Sequence, residues 1–146
     1  MPTLYDLRAT TEAFLDLHWP AGEGRPEWSE PWAFVGTIPN QEAKGIYALV
    51  HGEAIVYIGV GAGRGSGQYK NAGLGSRLHR YWRKHPTESL TVSGETRYVP
   101  SKVWGDVTEA TTIVTLGLPL DRFYLAYALE PFLISKLKPE RNRIGV

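Results

Sequence analysis

The spacing of apolar residues changes several times along this chain, and each change marks an element. Over residues 4–17, Leu4, Leu7, Phe14, Leu15 and Leu17 recur at helical spacing among good helix formers. This predicts an amphipathic helix that ends before Trp19 and Pro20. Residues 20–39, rich in proline, glycine and tryptophan, follow no period and read as an irregular arm laid over a surface, either a cover or a contact site for a partner. Residues 46–50 and 54–58 are short β-rich runs separated by His51, Gly52 and Glu53, the pattern of a hairpin with a three-residue loop. If Val50 pairs with Ala54, the register sets Tyr47 directly opposite Tyr57 on one sheet face, a pairing that suits packing as well as chemistry.

Residues 59–67 alternate glycine with other residues but match neither a dinucleotide-binding fingerprint nor a P-loop. What remains is a glycine-rich loop over 59–74 whose Arg64 and Lys70 lie within reach of a phosphate backbone. Ser76 then reads as the N-cap of a helix over 77–84, in which Arg77, Arg80, Arg83 and Lys84 form one basic stripe and Leu78, Tyr81 and Trp82 face inward. In the first turn of such a helix Arg77 opposes the dipole, which favours a functional over a stabilising role. His79 and His85, six apart, do not have the spacing of two helical metal ligands. Residues 111–116 form a third strand candidate, followed by a helix over 122–137 with Asp121 as N-cap. Its apolar stripe, Phe123, Ala126, Tyr127, Ile134 and Leu137, also contains Glu130. A carboxylate on that stripe needs a cation, a set of donors or a metal. Pro131 either kinks this helix or opens a second segment after Glu130.

Composition narrows the class. The 146 residues, 42% hydrophobic and 21% charged, suit one globular domain. No apolar run approaches the roughly 18 residues of a membrane span, and the N-terminus lacks the signal-peptide pattern. A soluble, cytoplasmic protein is the expectation. With no cysteine, thiolate zinc sites and cysteine nucleophiles are excluded, so any metal must rest on carboxylates, carbonyls or His, which points toward a hard cation. The net charge of +1 hides a segregation: residues 1–53 carry −5, residues 54–87 carry +6 without a single acid, and the remainder is neutral. The basic third coincides with the glycine-rich loop and the arginine helix, where a polyanion would bind.

Three features in order resemble the GIY-YIG nuclease superfamily: Gly45-Ile46-Tyr47 followed after nine residues by Tyr57-Ile58-Gly59, then Arg77 opening a basic-aromatic helix, then Glu130 with Pro139 and Asn142 nine and twelve residues on. The resemblance spans residues 44–142, about two thirds of the chain. It implies an α/β (α+β) fold with a central three-stranded antiparallel sheet flanked by helices and an active site on one sheet face. Here that is a nuclease domain over 41–146, preceded by the helix and arm over 1–40, which are not an independent domain. It also implies a metal-dependent endonuclease acting on DNA. Glu130 would bind one Mg²⁺ or Mn²⁺, Arg77 would hold the scissile phosphate, Tyr47 and Tyr57 would position the attacking water, and Asn142 would brace the site. Arg64, Lys70, His79, Arg80, Tyr81, Arg83 and Lys84 would contact the nucleic acid. Two departures stand out: Val60 occupies a place where many members have lysine, and the 59–77 loop is long. They leave open a nucleic-acid-binding module without catalysis, or a protein-interaction domain acting through the arm. No separate DNA-binding domain is visible, so specificity would come from the loops, the arm, a second copy of the chain or a partner chain.

Overall fold

The computed structural model describes residues 1–63, 73–84, 91–92, 95–100 and 110–142. In chain order the elements are α1 (Leu4–His18), β1 (Lys44–His51), β2 (Ala54–Gly61), α2 (Gly73–Tyr81), the short strands β3 (Trp82–Lys84), β4 (Thr91–Val92), β5 (Glu95–Thr96) and β6 (Tyr98–Pro100), then β7 (Thr112–Leu118), a 3-10 turn (Phe123–Leu125) and α3 (Ala126–Leu137). The architecture is mixed α/β. A three-stranded antiparallel sheet of order β2-β1-β7 has helices on both faces. None of the described helices is long and apolar enough to cross a membrane.

β1 is central and buried on both faces, which is why residues 46–50 read as a continuous apolar run instead of an alternation. One face, carrying Ile46, Ala48, Val50, Ile58, Val114 and Leu116, packs against α1 and α3. The other, carrying Tyr47, Leu49 and Ile113, packs against Leu74 and Leu78 of α2 and against Trp32 and Ile38 of the arm. α1 begins with a capping box, in which Thr3 Oγ1 accepts from the Asp6 N–H and Asp6 Oδ2 accepts from the Thr3 N–H. It ends where Trp19 turns to extended backbone ahead of Pro20.

The arm is a cover. Ser29 N–H donates to the Thr115 carbonyl at 2.8 Å, and Trp32 and Ile113 exchange N–H···O bonds at 2.8 and 3.0 Å. The outer edge of β7 is thereby closed, as an exposed edge requires. Trp19 and Trp32 are buried and Trp28 is half-buried, its Nε1 donating to Thr11 Oγ1. Farther out, Arg25 bridges Glu12 and Asp16 of α1, and Arg122 pairs with Glu23 while stacking on Trp19.

The hairpin register differs from the expectation. His51 pairs with Ala54 across a two-residue loop whose first residue, Gly52, has φ of 63°, and Val56 is an extra residue in β2. Tyr57 consequently lies opposite Leu49, and the residue opposite Tyr47 is Gly59. The bulge preserves the face: without it a two-residue loop would turn Tyr57 toward α1 and α3, whereas with it Tyr57 packs in the Tyr47 cluster. Gly59 is required there, because a Cβ would collide with the Tyr47 ring, and a Cβ on Gly45 would collide with the Leu116 carbonyl.

Gly59→Ala should therefore cost about 1–3 kcal/mol in urea unfolding, the range for overpacking a filled core. In a Tyr47→Leu background the same substitution should cost markedly less, because the colliding ring is gone. Gly24→Ala, which meets nothing within 4 Å, should be close to neutral. A Gly59→Ala cost that does not depend on residue 47 would contradict the packing described.

Candidate active site

Helix α2 starts four residues earlier than expected and is followed at once by β3, so Ser76 is not its N-cap and Arg77 sits past its first turn. The dipole argument for Arg77 lapses with that correction, and so does the continuous basic stripe, since Arg83 and Lys84 lie on a strand. The cause is tertiary. Leu74 N–H and Gly75 N–H donate to the carbonyls of Ala43 and Gln41, at 3.0 and 2.9 Å, anchoring the start of the helix to the strand-entry segment. Gly61 and Gly73 cross so closely that a Cβ on either would strike the backbone of the other. This crossing sets α2 against the end of β2 and opens a cleft lined by Val60, Gly61, Ala62, Gly63, Gly73, Ser76 and Arg77.

Arg77 is half-buried in this cleft, and its Nε donates to Tyr47 Oη at 3.5 Å, the long limit of a hydrogen bond. Tyr47 is fully buried, its ring over Gly59. Tyr57 is half-buried and sits diagonally beside it, with ring centroids 6.2 Å apart and planes tilted by 34°. These three groups share the sheet face covered by α2.

Glu130 comes from the other side. It is carried by α3, which packs on the opposite sheet face, and its carboxylate accepts from the Val60 N–H on the outer edge of β2. The site thus wraps an edge; it is not confined to one face. Burial pushes the Glu130 carboxyl above its ordinary pKa, against the opposing pull of the Arg77 charge and the Val60 N–H. Glu130 is half-buried on the flank of the stripe formed by Ala126, Leu129, Leu133 and Ile134, and Tyr127, expected on that stripe, is exposed. Pro131 does not open a second segment. It lies inside α3 on the exposed side, where the Tyr127 carbonyl that loses its partner can meet water. Asp121 is not a cap, because the chain first makes the 3-10 turn and α3 begins without a side-chain cap.

α3 ends at Lys138, whose φ of 48° is left-handed, and Pro139 follows. The chain then runs along β2. Arg141 N–H donates to the Val56 carbonyl at 2.9 Å, Asn142 Oδ1 accepts from Ile58 N–H, and Asn142 Nδ2 donates to the Ile58 carbonyl, both at 2.8 Å. Asn142 is buried and imitates a strand partner.

Of the residues expected at the site, Tyr47, Tyr57, Arg77 and Glu130 are brought to the Gly59–Val60 end of β2, and Asn142 pins the backbone just before them. His79 is half-buried with its ring 5.7 Å from that of Tyr98, a packing position. Arg80 and Tyr81 lie on α2 and Arg83 and Lys84 on β3, but their side chains, like all of Arg64, Lys70 and His85, fall outside the described residues. The Val60 N–H went unforeseen, because a backbone donor leaves no mark in a sequence. Among the described residues no three His, Asp or Glu side chains cluster as a metal cage. The donor chemistry of Glu130 still fits a hard divalent cation held by one carboxylate, water and substrate oxygens, since its buried charge is only partly offset by Arg77 and Val60. Comparison with protein-family models, curated proteins and solved structures finds no match to this chain.

With its folded pKa raised, protonation of Glu130 favours the fold, and that contribution is lost as pH rises through the folded-state value. Glu130→Gln removes the penalty on the charged form. Its gain in melting temperature over the wild type should be larger at about pH 7.5 than at about pH 3, below the ordinary carboxylate range. A gain independent of pH would show that the carboxylate is not desolvated.

Proposed function

We propose that this chain is a metal-dependent endonuclease of the GIY-YIG type that hydrolyses phosphodiester bonds in DNA. The observation that carries the reading is the placement of Glu130 against the edge of β2 within the electrostatic reach of Arg77, which bonds the buried motif tyrosine Tyr47, with Asn142 bracing the strand between them. The three-stranded antiparallel sheet with helices on both faces supports it.

In this reading Arg77 holds the scissile phosphate and offsets the negative charge that gathers on its oxygens during attack. Tyr47, fully buried and bonded to Arg77, is a positioning residue that fixes the guanidinium. Tyr57, the more open phenol, orients the attacking water and, as the phenolate, takes its proton to become the neutral phenol while the new O–P bond forms and the P–O3′ bond breaks. Glu130 holds Mg²⁺ or Mn²⁺, which supplies positive charge to the phosphate and to the departing oxygen when bound. A second reading, a nucleic-acid-binding module without catalysis, draws on Val60, whose side chain packs with the α1 and α3 core and brings no cation to the cleft.

The purified chain should nick plasmid DNA when supplied with Mg²⁺ or Mn²⁺. Glu130→Ala and Arg77→Ala should each lower the rate at least about hundredfold, the scale of losing one electrostatic contact to the transition state. Tyr57→Phe should lower it by about 10²–10⁴-fold. Cleavage that survives both Glu130→Ala and Arg77→Ala would overturn the mechanism. Salt-sensitive binding without cleavage would favour the second reading.

A further inference from the structure

Two large aromatic side chains lie open to solvent beside Glu130 and take no part in the mechanism above. Tyr127 is 55% exposed and stands three residues before Glu130 on α3, and Tyr124, three residues earlier across the 3-10 turn, is 59% exposed. Spacings of three place Tyr124, Tyr127 and Glu130 in one row along the helix surface. Both rings leave most of their apolar surface in water, and tyrosine is only a moderate helix former.

The row has a direction. Glu130 sits against Val60 near the end of β2, and the 3-10 turn that carries Tyr124 also carries Phe123, whose ring meets Lys44, so the row runs from Glu130 toward the start of β1. There Lys44, at the head of β1, sits 4.3 Å from the centroid of the Phe123 ring, next to Tyr124. A cation, two open phenol rings and the Arg77–Glu130 pair therefore follow one another at this end of the molecule.

We infer that Tyr124 and Tyr127 stack on unpaired bases next to the scissile phosphate, so that the substrate is DNA with a single-stranded segment at the cut site. This deepens the nuclease reading and rests on it for the place of the phosphate. Successive rings rise about 4.5–6 Å along a helix or 3-10 turn, close enough to the roughly 3.4 Å base step for neighbouring nucleotides to use both. Bases inside a duplex already have both faces stacked. Only an unpaired base has a face to offer, and aromatic stacking of such bases tolerates any sequence. Lys44 attracts the phosphates of the same tail.

The test is equilibrium binding in EDTA, where no cleavage occurs, with three fluorescent DNAs: a single strand, its blunt duplex, and that duplex with an unpaired tail carrying 2-aminopurine. The wild type should bind the tailed and single-stranded DNAs more tightly than the blunt duplex and quench the 2-aminopurine. Tyr124→Ala with Tyr127→Ala should weaken binding of the tailed DNA about tenfold or more, abolish the quenching and change blunt-duplex binding less than about twofold. The Tyr124→Phe, Tyr127→Phe pair should restore both signals, since the ring and not the hydroxyl is used. Equal losses on tailed and blunt DNA, no loss on either, or a wild type that prefers the blunt duplex or fails to bind the tail would overturn the inference. A parallel incubation with Mg²⁺ or Mn²⁺ separates the two ideas. Cleavage with tyrosine-independent binding overturns the stacking alone, whereas tyrosine-dependent binding without cleavage supports the stacking and overturns the nuclease reading.

Discussion

Among the described residues no named strand flanks the outer edge of β2, which Pro2 and Thr3 bridge only at its start, and the way the rest of its backbone groups are satisfied organises the candidate site. Arg141 N–H meets the Val56 carbonyl, the Asn142 amide meets both polar groups of Ile58, and the Glu130 carboxylate meets the Val60 N–H. One run of chain, α3 and the turn after it, therefore acts as a substitute strand made partly of side chains. An unpaired buried N–H or carbonyl costs about 1–3 kcal/mol, so these contacts hold β2 and α3 in a single relative position. Fixing that position fixes Glu130 relative to Arg77, the arrangement on which the proposed chemistry draws.

The bulge at Val56 is the second constraint. A two-residue turn after His51 is the compact way to close the hairpin, but its regular register would place Tyr57 on the α1 and α3 face. One extra residue reverses the parity and returns Tyr57 to the Tyr47 face. Glycine at 59, opposite Tyr47, then lets the buried ring lie down on the neighbouring strand with its hydroxyl toward Arg77. The two glycines of the paired motifs are accounted for by packing, and their tyrosines by the side to which packing turns them.

Glu130 works against the fold that positions it. Burial raises its pKa despite Arg77 and the Val60 N–H, so its charged form is not fully compensated by the protein. The acidic arm and α1 contribute in a different way. The arm closes the far edge of β7 and is tethered through Arg25 to α1, which covers the sheet face it shares with α3. The negative charge of the first third of the chain thus accompanies the cover, away from the end of β2 where Arg77 lies.

Periodicity was enough to find α1, the hairpin strands, β7 and α3, since each carries an apolar pattern that local geometry dictates. The ordered tyrosines, Arg77, Glu130 and Asn142 also stood out as residue types with chemistry, and they come together around one strand end. The register, the start of α2 and the environment of Glu130 were not legible. Whether Tyr57 faces Tyr47 depends on one bulged residue, and nothing in a run of alternating apolar residues marks which one is extra. α2 begins at Gly73 because distant carbonyls at Gln41 and Ala43 receive its first N–H groups, which overrides the capping preference of Ser76. The partner of Glu130 is a backbone N–H on another element, and every residue but proline has one. Local pattern chose the elements because it reflects contacts within a few residues, whereas the site depended on which backbone groups were left unpaired once those elements packed together.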